Sequence, residues 1–421
     1  MNMKLNVAVA AALVAAASSA QAGITIPAGD WTLDIGGVVN AYYTQTTYSG
    51  DNSGAAPLGL GNGKGDSTSN ITTGLLPNYL SVSGKTRQND LDVGFTISIN
   101  PGASTNRALF QSSQQENRQA FLTFGDASWG SIKLGKDLGI FASDAILNDM
   151  TLLGVGGGAG NLAGNTTTLG RIGSGYIYAD WKSQVAYTSP NWNGFQFTGG
   201  VTQSWDAQTA GIAAVGSATS TDRGGSQPAF EGKASYEWTG DVAGKVWVSA
   251  ISQKVKGLTN ATADAIVGGV IVPGTANTIT SSSDRATAWD IGTTVNLAGF
   301  GLTGYYYDGK GIGQTGQLWD GFDAAGKRRD SKGGYVQGTY TVPEVGTKLG
   351  LSWGQSKLEG NSVDAFDNLK NEMWTVGAYH PLTKHLNLVA EYSQTKQKLE
   401  QTGGDLDAKA KTVSLGAILF F

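Results

Sequence analysis

From Leu91 to Ile99 an apolar side chain stands at every second position, with Asp92, Gly94, Thr96 and Ser98 between. A strand points successive side chains to opposite faces, so a repeat of two makes one greasy face and one wet face. The same texture returns at Phe195 to Val201, and again at Phe230 to Trp238, where Glu231, Lys233, Ser235 and Glu237 form the polar row. Followed along the chain, it predicts sixteen strands, at 31–47, 78–87, 90–100, 117–125, 130–137, 181–189, 194–205, 228–238, 243–254, 285–297, 300–309, 332–342, 346–356, 371–381, 386–396 and 411–421.

The connections carry a second signal. Short ones, such as Arg87-Gln88-Asn89-Asp90, Asn191-Trp192-Asn193-Gly194 and Leu382-Thr383-Lys384-His385, alternate with long polar ones such as Ser49 to Leu76 and Val255 to Asp284. All tight turns then lie at one end of the sheet and all loops at the other, the layout of a transmembrane antiparallel up-and-down β-barrel with short periplasmic turns and long external loops. A soluble sandwich or propeller would also show many short strands, but with more cross-packing large residues and fewer long glycine-rich loops. Aromatic residues beside the turns (Phe124, Trp129, Trp192, Trp238, Phe300) and near the loop ends (Tyr42, Tyr43, Trp181, Trp205, Tyr305, Tyr306) suggest two interfacial girdles. At the far end Val413, Leu415, Ala417, Leu419 and Phe421 alternate, as expected of a last strand that pairs with the first and leaves no edge toward lipid.

Composition narrows the class. Residues 1–22 read as a secretory signal peptide: Lys4, then an apolar run from Val7 to Ala17, then Ala20-Gln21-Ala22 as an A-x-A cleavage site. That run is too short for a membrane helix, which needs about 20 residues. No later apolar run is long enough either, so a mature chain that spans a membrane must do so as a closed barrel. Residues 23–421 keep one texture, with no linker, and are expected to form a single barrel domain. There is no cysteine, so stability must come from the hydrogen-bonded ladder. A formal net charge of −4 argues against nucleic acid, whose phosphates require a basic stripe.

Catalytic and cofactor chemistry finds little footing, and no cofactor is implied. His380 and His385 are the two histidines, and neither has a Ser/Asp setting that makes a nucleophile. The glycine-rich stretches Gly59 to Gly65 and Gly154 to Gly158 miss the phosphate-loop pattern, since Lys64 is followed by glycine rather than Ser or Thr. No pair of histidines has ligand spacing for a metal, while calcium on loop carboxylates stays open.

Several segments in order resemble the general porins of Gram-negative bacteria: Asn117-Arg118-Gln119-Ala120-Phe121, the strand from Trp129 to Lys136, Val185 to Pro190 running into Asn193-Gly194-Phe195, and the terminal Phe421. The resemblance covers the whole mature chain. It implies a homotrimer of sixteen-stranded barrels in the outer membrane, among lipid and lipopolysaccharide, passing small hydrophilic solutes and ions. It also implies a third loop folded into the lumen. Here that loop, about Leu138 to Tyr178, is the longest, and its Ile140, Phe141, Ile146, Leu147, Leu152 and Leu153 are too apolar for open water.

Such porins oppose loop acids to wall bases, and the matching residues are Asp144 and Asp149, with Asp137 at the loop entrance, against Arg118. Alternation turns Lys85 and Lys133 inward as well. Phe421 matches the assembly signal of the last strand. Tyr79 and Asp180 stand where many relatives place basic wall residues, a thinning that leans the expected ion preference toward cations. Two channel readings remain open, general diffusion or a substrate-selective track that could use Tyr79, Trp247, Tyr305 and Tyr379; a plugged structural barrel is a third.

Overall fold

In the computed structural model the described residues are 23–51, 65–104, 115–157, 167–209, 215–261, 265–267, 270–272, 276–278 and 283–421. The expected signal peptide at 1–22, most of the glycine-rich stretch 59–65 and the part of the third loop at 158–166 lie outside them.

Sixteen antiparallel strands form the wall: β1 (Trp31–Gly50), β2 (Tyr79–Gln88), β3 (Leu91–Pro101), β4 (Ala120–Asp126), β5 (Gly130–Leu138), β6 (Trp181–Thr188), β7 (Phe195–Thr202), β8 (Ala229–Trp238), β9 (Val242–Lys256), β10 (Ser283–Leu297), β11 (Phe300–Lys310), β12 (Asp330–Thr341), β13 (Lys348–Glu359), β14 (Phe366–Pro381), β15 (Leu386–Gln401) and β16 (Leu406–Phe420). Each pairs with its sequence neighbours, and β16 returns to β1 in a register running from Val38↔Phe420 to Gly50↔Ala408, which closes the ring. No described helix is long and apolar enough to cross a membrane.

The alternation read from the sequence sorts side chains as expected. On β9, Val246 and Val248 face outward and are exposed while Trp247, Ser249 and Ile251 face inward and are buried. Hairpin turns follow from residues that tolerate positive φ: Asn89 and Asp90 (48° and 61°), Asn193 and Gly194 (54° and 100°), Ala298 and Gly299 (48° and 85°). Two successive left-handed residues match the twist of the strands they join.

Three features differ from the expected strands. The last strands begin earlier, β14 at Phe366 rather than 371 and β16 at Leu406 rather than 411. Their outward positions there are Asn368, Lys370, Asp407 and Lys409, so the apolar half of the repeat vanishes while the ladder continues. β4 starts at Ala120, with residues 117–119 outside the ladder. A further strand, Ile24–Ala28, pairs with the lower end of β1, from Ile24↔Ile35 to Ala28↔Trp31. It lies on the side of β1 that β16 occupies higher up. Between them, Gly37 N–H donates to the Phe421 carbonyl (2.8 Å) and Phe421 N–H to the Gly37 carbonyl (3.1 Å). Ile24–Ala28 therefore continues, along β1, the stave that β16 occupies higher up.

The wall is uneven in height. β4 to β7 run 7 to 9 residues, whereas β14 to β16 run 15 or 16.

The Phe421 ring lies over Gly37, where an added Cβ would meet it. Replacing Phe421 with Asp puts a charge on the lipid side of this seam, at a cost of several kcal/mol if buried. The expected result is loss of most of the heat-modifiable folded band on gels, whereas wild-type folding yield would show that closure does not need the ring.

Candidate pore constriction

The chain between β5 and β6 leaves the wall and enters the barrel. Backbone inside a lumen must satisfy its own amides, and two wall carboxylates do this at opposite ends of the crossing. On β8, Glu231 Oε2 accepts the N–H groups of Ile140 (2.8 Å) and Phe141 (2.9 Å). Its other oxygen accepts from Lys182 Nζ (2.6 Å) and the Thr202 hydroxyl (2.8 Å). On β15, Glu391 Oε2 accepts the N–H groups of Val155 (2.7 Å) and Gly156 (2.8 Å), and Oε1 accepts the Tyr379 hydroxyl (2.7 Å). β8 and β15 stand seven staves apart in a ring of sixteen, so the loop crosses close to a diameter.

Between the clamps lie a short helix, α1 (Ser143–Leu147), and a 3-10 turn, Met150–Leu153. Gln337 on β12 holds the middle, its Oε1 accepting from Met150 N (2.7 Å) and its Nε2 donating to the Asn148 carbonyl (3.0 Å). Tyr335 donates to the Ala145 carbonyl (2.8 Å), and Tyr42 to that of Leu153 (2.8 Å). Phe141, Ala145, Ile146, Leu152 and Val155 pack with the inward Trp247, Ile251, Tyr305, Tyr335 and Tyr379 in one buried cluster. The apolar content of the loop thus has its partner in an aromatic patch on the inner wall. Burying these rings contributes on the order of 2 kcal/mol each.

The acids and bases read from the sequence fall into separate places. Asp144, on α1, is held between two wall lysines, Lys233 Nζ at 2.8 Å and Lys245 Nζ at 2.6 Å. Burial works to raise its carboxyl, but the two ammonium charges and their hydrogen bonds outweigh it and hold it at about 2. Asp149 is used within the loop: Oδ1 accepts from Thr151 N (3.0 Å), capping the 3-10 turn, and Oδ2 accepts from the Tyr176 hydroxyl (2.9 Å). Asp137 pairs with Lys133 and accepts from Gln119 Nε2 (3.0 Å), while Lys133 Nζ also sits 4.8 Å from the Phe121 ring centre.

Arg118 stands at the external end of the wall, bonded to Glu116 (2.9 Å) and 5.9 Å from the Trp181 ring centre. Lys85 lies toward the turn end with its side chain 69% exposed, 4.0 Å from Asp34. The aromatics of the suggested track lie against the loop: Trp247, Tyr305 and Tyr379 belong to its buried cluster and Tyr79 packs against it, while Tyr379 and Tyr305 donate to Glu391 and Asp290.

Sequence reading missed the anchors Glu231, Gln337 and Glu391 and the lysines that meet Asp144. A signal was present, since Glu231 and Lys233 belong to the polar row of β8, and a row facing a filled lumen must touch what fills it. The pattern names the face, not the partner.

Charge is divided unequally between water and interior. The carboxylates of Asp137, Asp144, Asp149, Glu231, Asp290 and Glu391 are all buried. Lys233 and Lys245 each keep 23% of their side chain exposed.

A family model for Gram-negative porins matches residues 8–399. Among solved structures, an outer-membrane channel of Acinetobacter baumannii, DcaP, aligns over 95% of this chain and all of its own, with 14% identity and a TM-score of 0.64. The anion-selective porin of Comamonas acidovorans aligns over 93% of this chain and all of its own, with 16% identity and a TM-score of 0.58. OmpF of Salmonella typhi, solved with daunomycin, also aligns over 93% of this chain and all of its own, at 16% identity and a TM-score of 0.54. These likenesses speak for the fold. No curated protein sequence matches the chain. Crossed by its own loop and closed by its own last strand, the chain belongs to the Gram-negative porin family, as an outer-membrane channel for passive diffusion and not an enzyme.

Proposed function

We propose that the loop 139–180 sets the narrowest part of the channel, that Asp144, Lys233 and Lys245 are its charged lining, and that the channel favours small anions over cations. The observation that carries this reading is local to the crossing: Glu231 and Glu391 are taken up in holding the loop amides and Asp144 is buried, while Lys233 and Lys245 each keep part of the side chain in water. A single carboxylate between two lysines leaves a local surplus of one positive charge, and a low-dielectric wall lets that surplus weight the ions that pass. The preference is opposite to the lean drawn from Tyr79 and Asp180, because it rests on the two lysines that reach water beside Asp144 and not on those positions. The structural relative from Comamonas acidovorans is described as anion-selective, which agrees in sign.

The proposal extends to the assembly. Residues 1–22 are a leader removed on export. The barrel works as a homotrimer in contact with lipid and lipopolysaccharide, and a trimer form is recorded for the structurally similar OmpT of Vibrio cholerae. Arg118, Lys85 and the Lys133–Asp137 pair then modulate the two mouths rather than the narrow part.

Replacing Lys233 and Lys245 together with Gln is expected to lower the anion-to-cation permeability ratio several-fold, read as a reversal potential in a salt gradient. The change should fade at high salt, since the screening length falls from about 10 Å at 0.1 M to about 3 Å at 1 M. Arg118→Glu should move the potential less. A larger effect from Arg118 than from the lysine pair would reject this constriction.

Exchanging Ser143–Leu153 for a glycine-serine linker of equal length should raise single-channel conductance and admit larger neutral sugars to liposomes, with the barrel still heat-modifiable. Wild-type conductance in that variant means the loop does not set the bore.

Acid should act through Asp144. Its carboxyl lies at about 2, below its ordinary value of 3.8, so the docking it supplies is complete above about pH 4 and is lost as pH falls through 2. The difference corresponds to about 2 kcal/mol. Conductance should hold steady from pH 7 to about 4 and then become larger and noisier toward pH 2, and Asp144→Asn should behave that way already at pH 7. A steady trace in the variant at pH 7 would show that Asp144 does not hold the loop.

A further inference from the structure

The chain between β11 and β12, residues 311–329, is an external loop by its place in the hairpin order, yet it does not stand in external water. Gln314, Thr315, Gln317, Asp320, Asp323 and Arg329 are all buried. Loops ordinarily keep such side chains at the surface, so a polar loop out of water must be paired on several sides.

Two glutamines three positions apart reach opposite walls. Gln314 Nε2 donates to the carbonyls of Ser356 on β13 (2.8 Å) and Leu369 on β14 (2.9 Å). Gln317 Oε1 accepts from Lys182 Nζ on β6 (3.1 Å), and its Nε2 donates to the Ala179 carbonyl just before that strand (3.2 Å). β6 and β14 stand eight staves apart in a ring of sixteen, so they face each other across the lumen. Three residues supply about 10 Å of backbone, and the side chains reaching out to either wall complete the span. The loop is a bar across the external half of the barrel.

Its neighbours hold it from both sides. Toward the third loop, Tyr178 N donates to the Thr315 carbonyl (2.9 Å), and Gly173 leaves the room for the Thr315 side chain that a Cβ would take. Ile312, Leu318 and Phe322 join the buried cluster that contains Phe141, Ile172 and Tyr176 of the third loop. From the chain between β7 and β8, Gln208 N donates to the Leu318 carbonyl (3.3 Å) and Ala218 N to that of Phe322 (3.1 Å), while the Gln208 carbonyl accepts from Asp320 N (2.8 Å). At the root Arg329, 0% exposed, meets both oxygens of Asp364 (2.9 and 2.6 Å), with Nη1 donating to the Ser217 hydroxyl (2.9 Å). A bidentate guanidinium fixes direction as well as charge, and here it joins three loops.

The bar and the third loop meet the far wall at different heights. Met150 of the third loop packs at Gly350 of β13, whereas Gln314 bonds at Ser356, six residues nearer the loop end of that strand. At about 3.3 Å per residue on a strand tilted by about 40°, the two lie about 15 Å apart along the pore. The crossing stretch, Gly311 to Trp319, contains no charged residue. It can exclude by size, but it has little means of sorting ions by sign.

We propose that the loop between β11 and β12 is a second sieve, in series with the third loop on its external side, that limits the size of the neutral solutes reaching the narrow part. It takes the docked third loop of the proposed constriction as its neighbour and does not depend on the sign of the channel's ion preference.

The test uses the full barrel with Gly313–Leu318 removed, and a second variant, Gln314→Ala with Gln317→Ala, that cuts the bar from both walls and keeps the loop length. Entry of a neutral trisaccharide into liposomes should rise several-fold in the first and less in the second, while monosaccharide entry and the reversal potential in a salt gradient stay near wild type. The deletion should raise trisaccharide entry again in a barrel whose Ser143–Leu153 is already a glycine-serine linker. Wild-type trisaccharide entry in both heat-modifiable variants overturns the proposal. So does the lack of any further rise in the linker background, which makes the loop only a support for the third loop, and so does a potential shift as large as that from replacing Lys233 and Lys245. If the linker alone leaves entry unchanged and the deletion still raises it, the sieve stands and the third-loop constriction is rejected.

Discussion

Every backbone amide in a hydrocarbon layer needs a partner from the protein itself, and this constraint governs the whole molecule. The ladder cannot end on an open edge, so β16 must find β1, and the last few ångströms of that seam require Ile24–Ala28 and the paired bonds of Gly37 and Phe421. The same rule reaches inside. A loop that leaves the wall carries its amides into the lumen, and Glu231 and Glu391 answer it with two consecutive N–H groups each. Closure of the wall and docking of the loop are one requirement met at two places.

That requirement explains the odd charge pattern within the barrel. Acids are strong acceptors, and a crossing backbone presents donors, so the inward carboxylates are drawn out of water. Lysines cannot accept, and they are left where water or an acid on the loop meets them. Lys182 shows the limit: fully buried, it persists because Glu231 and Gln317 surround its ammonium group and the Trp205 ring lies 4.7 Å away. A buried pair of this kind is costly to break from one side, about 3–5 kcal/mol, which ties β6, β8 and the loop together.

Much of the wall was legible because a period of two survives wherever one face meets lipid and the other meets polar groups. It faded where both faces are polar, and so β14 and β16 were read as shorter than they are: Asn368, Lys370, Asp407 and Lys409 carry ladder but no alternation of hydropathy. Ile24–Ala28 escaped notice for another reason, being five residues with a proline inside. The constriction was half legible. The apolar residues of the third loop announced that it packs, and Asp144 was legible as an acid of that loop, but its partners Lys233 and Lys245 lie about 90 and 100 residues away and only the barrel brings them near. Arg118 was chosen by resemblance, and its surroundings at the rim depend on a break in the ladder that no local pattern marks.

The far clamp of the loop has a consequence for the order of assembly. Val155 and Gly156 bond to a residue more than 230 positions further along the chain, on the next-to-last strand. Until β15 is in place, the loop has its β8 anchor but not its opposite one. A partly built barrel therefore holds a segment tethered at one side, and the loop is fixed across the lumen only in the closing moments of insertion. Fixing the loop and closing the wall thus fall to neighbouring strands, β15 carrying the far clamp and β16 the seam with β1.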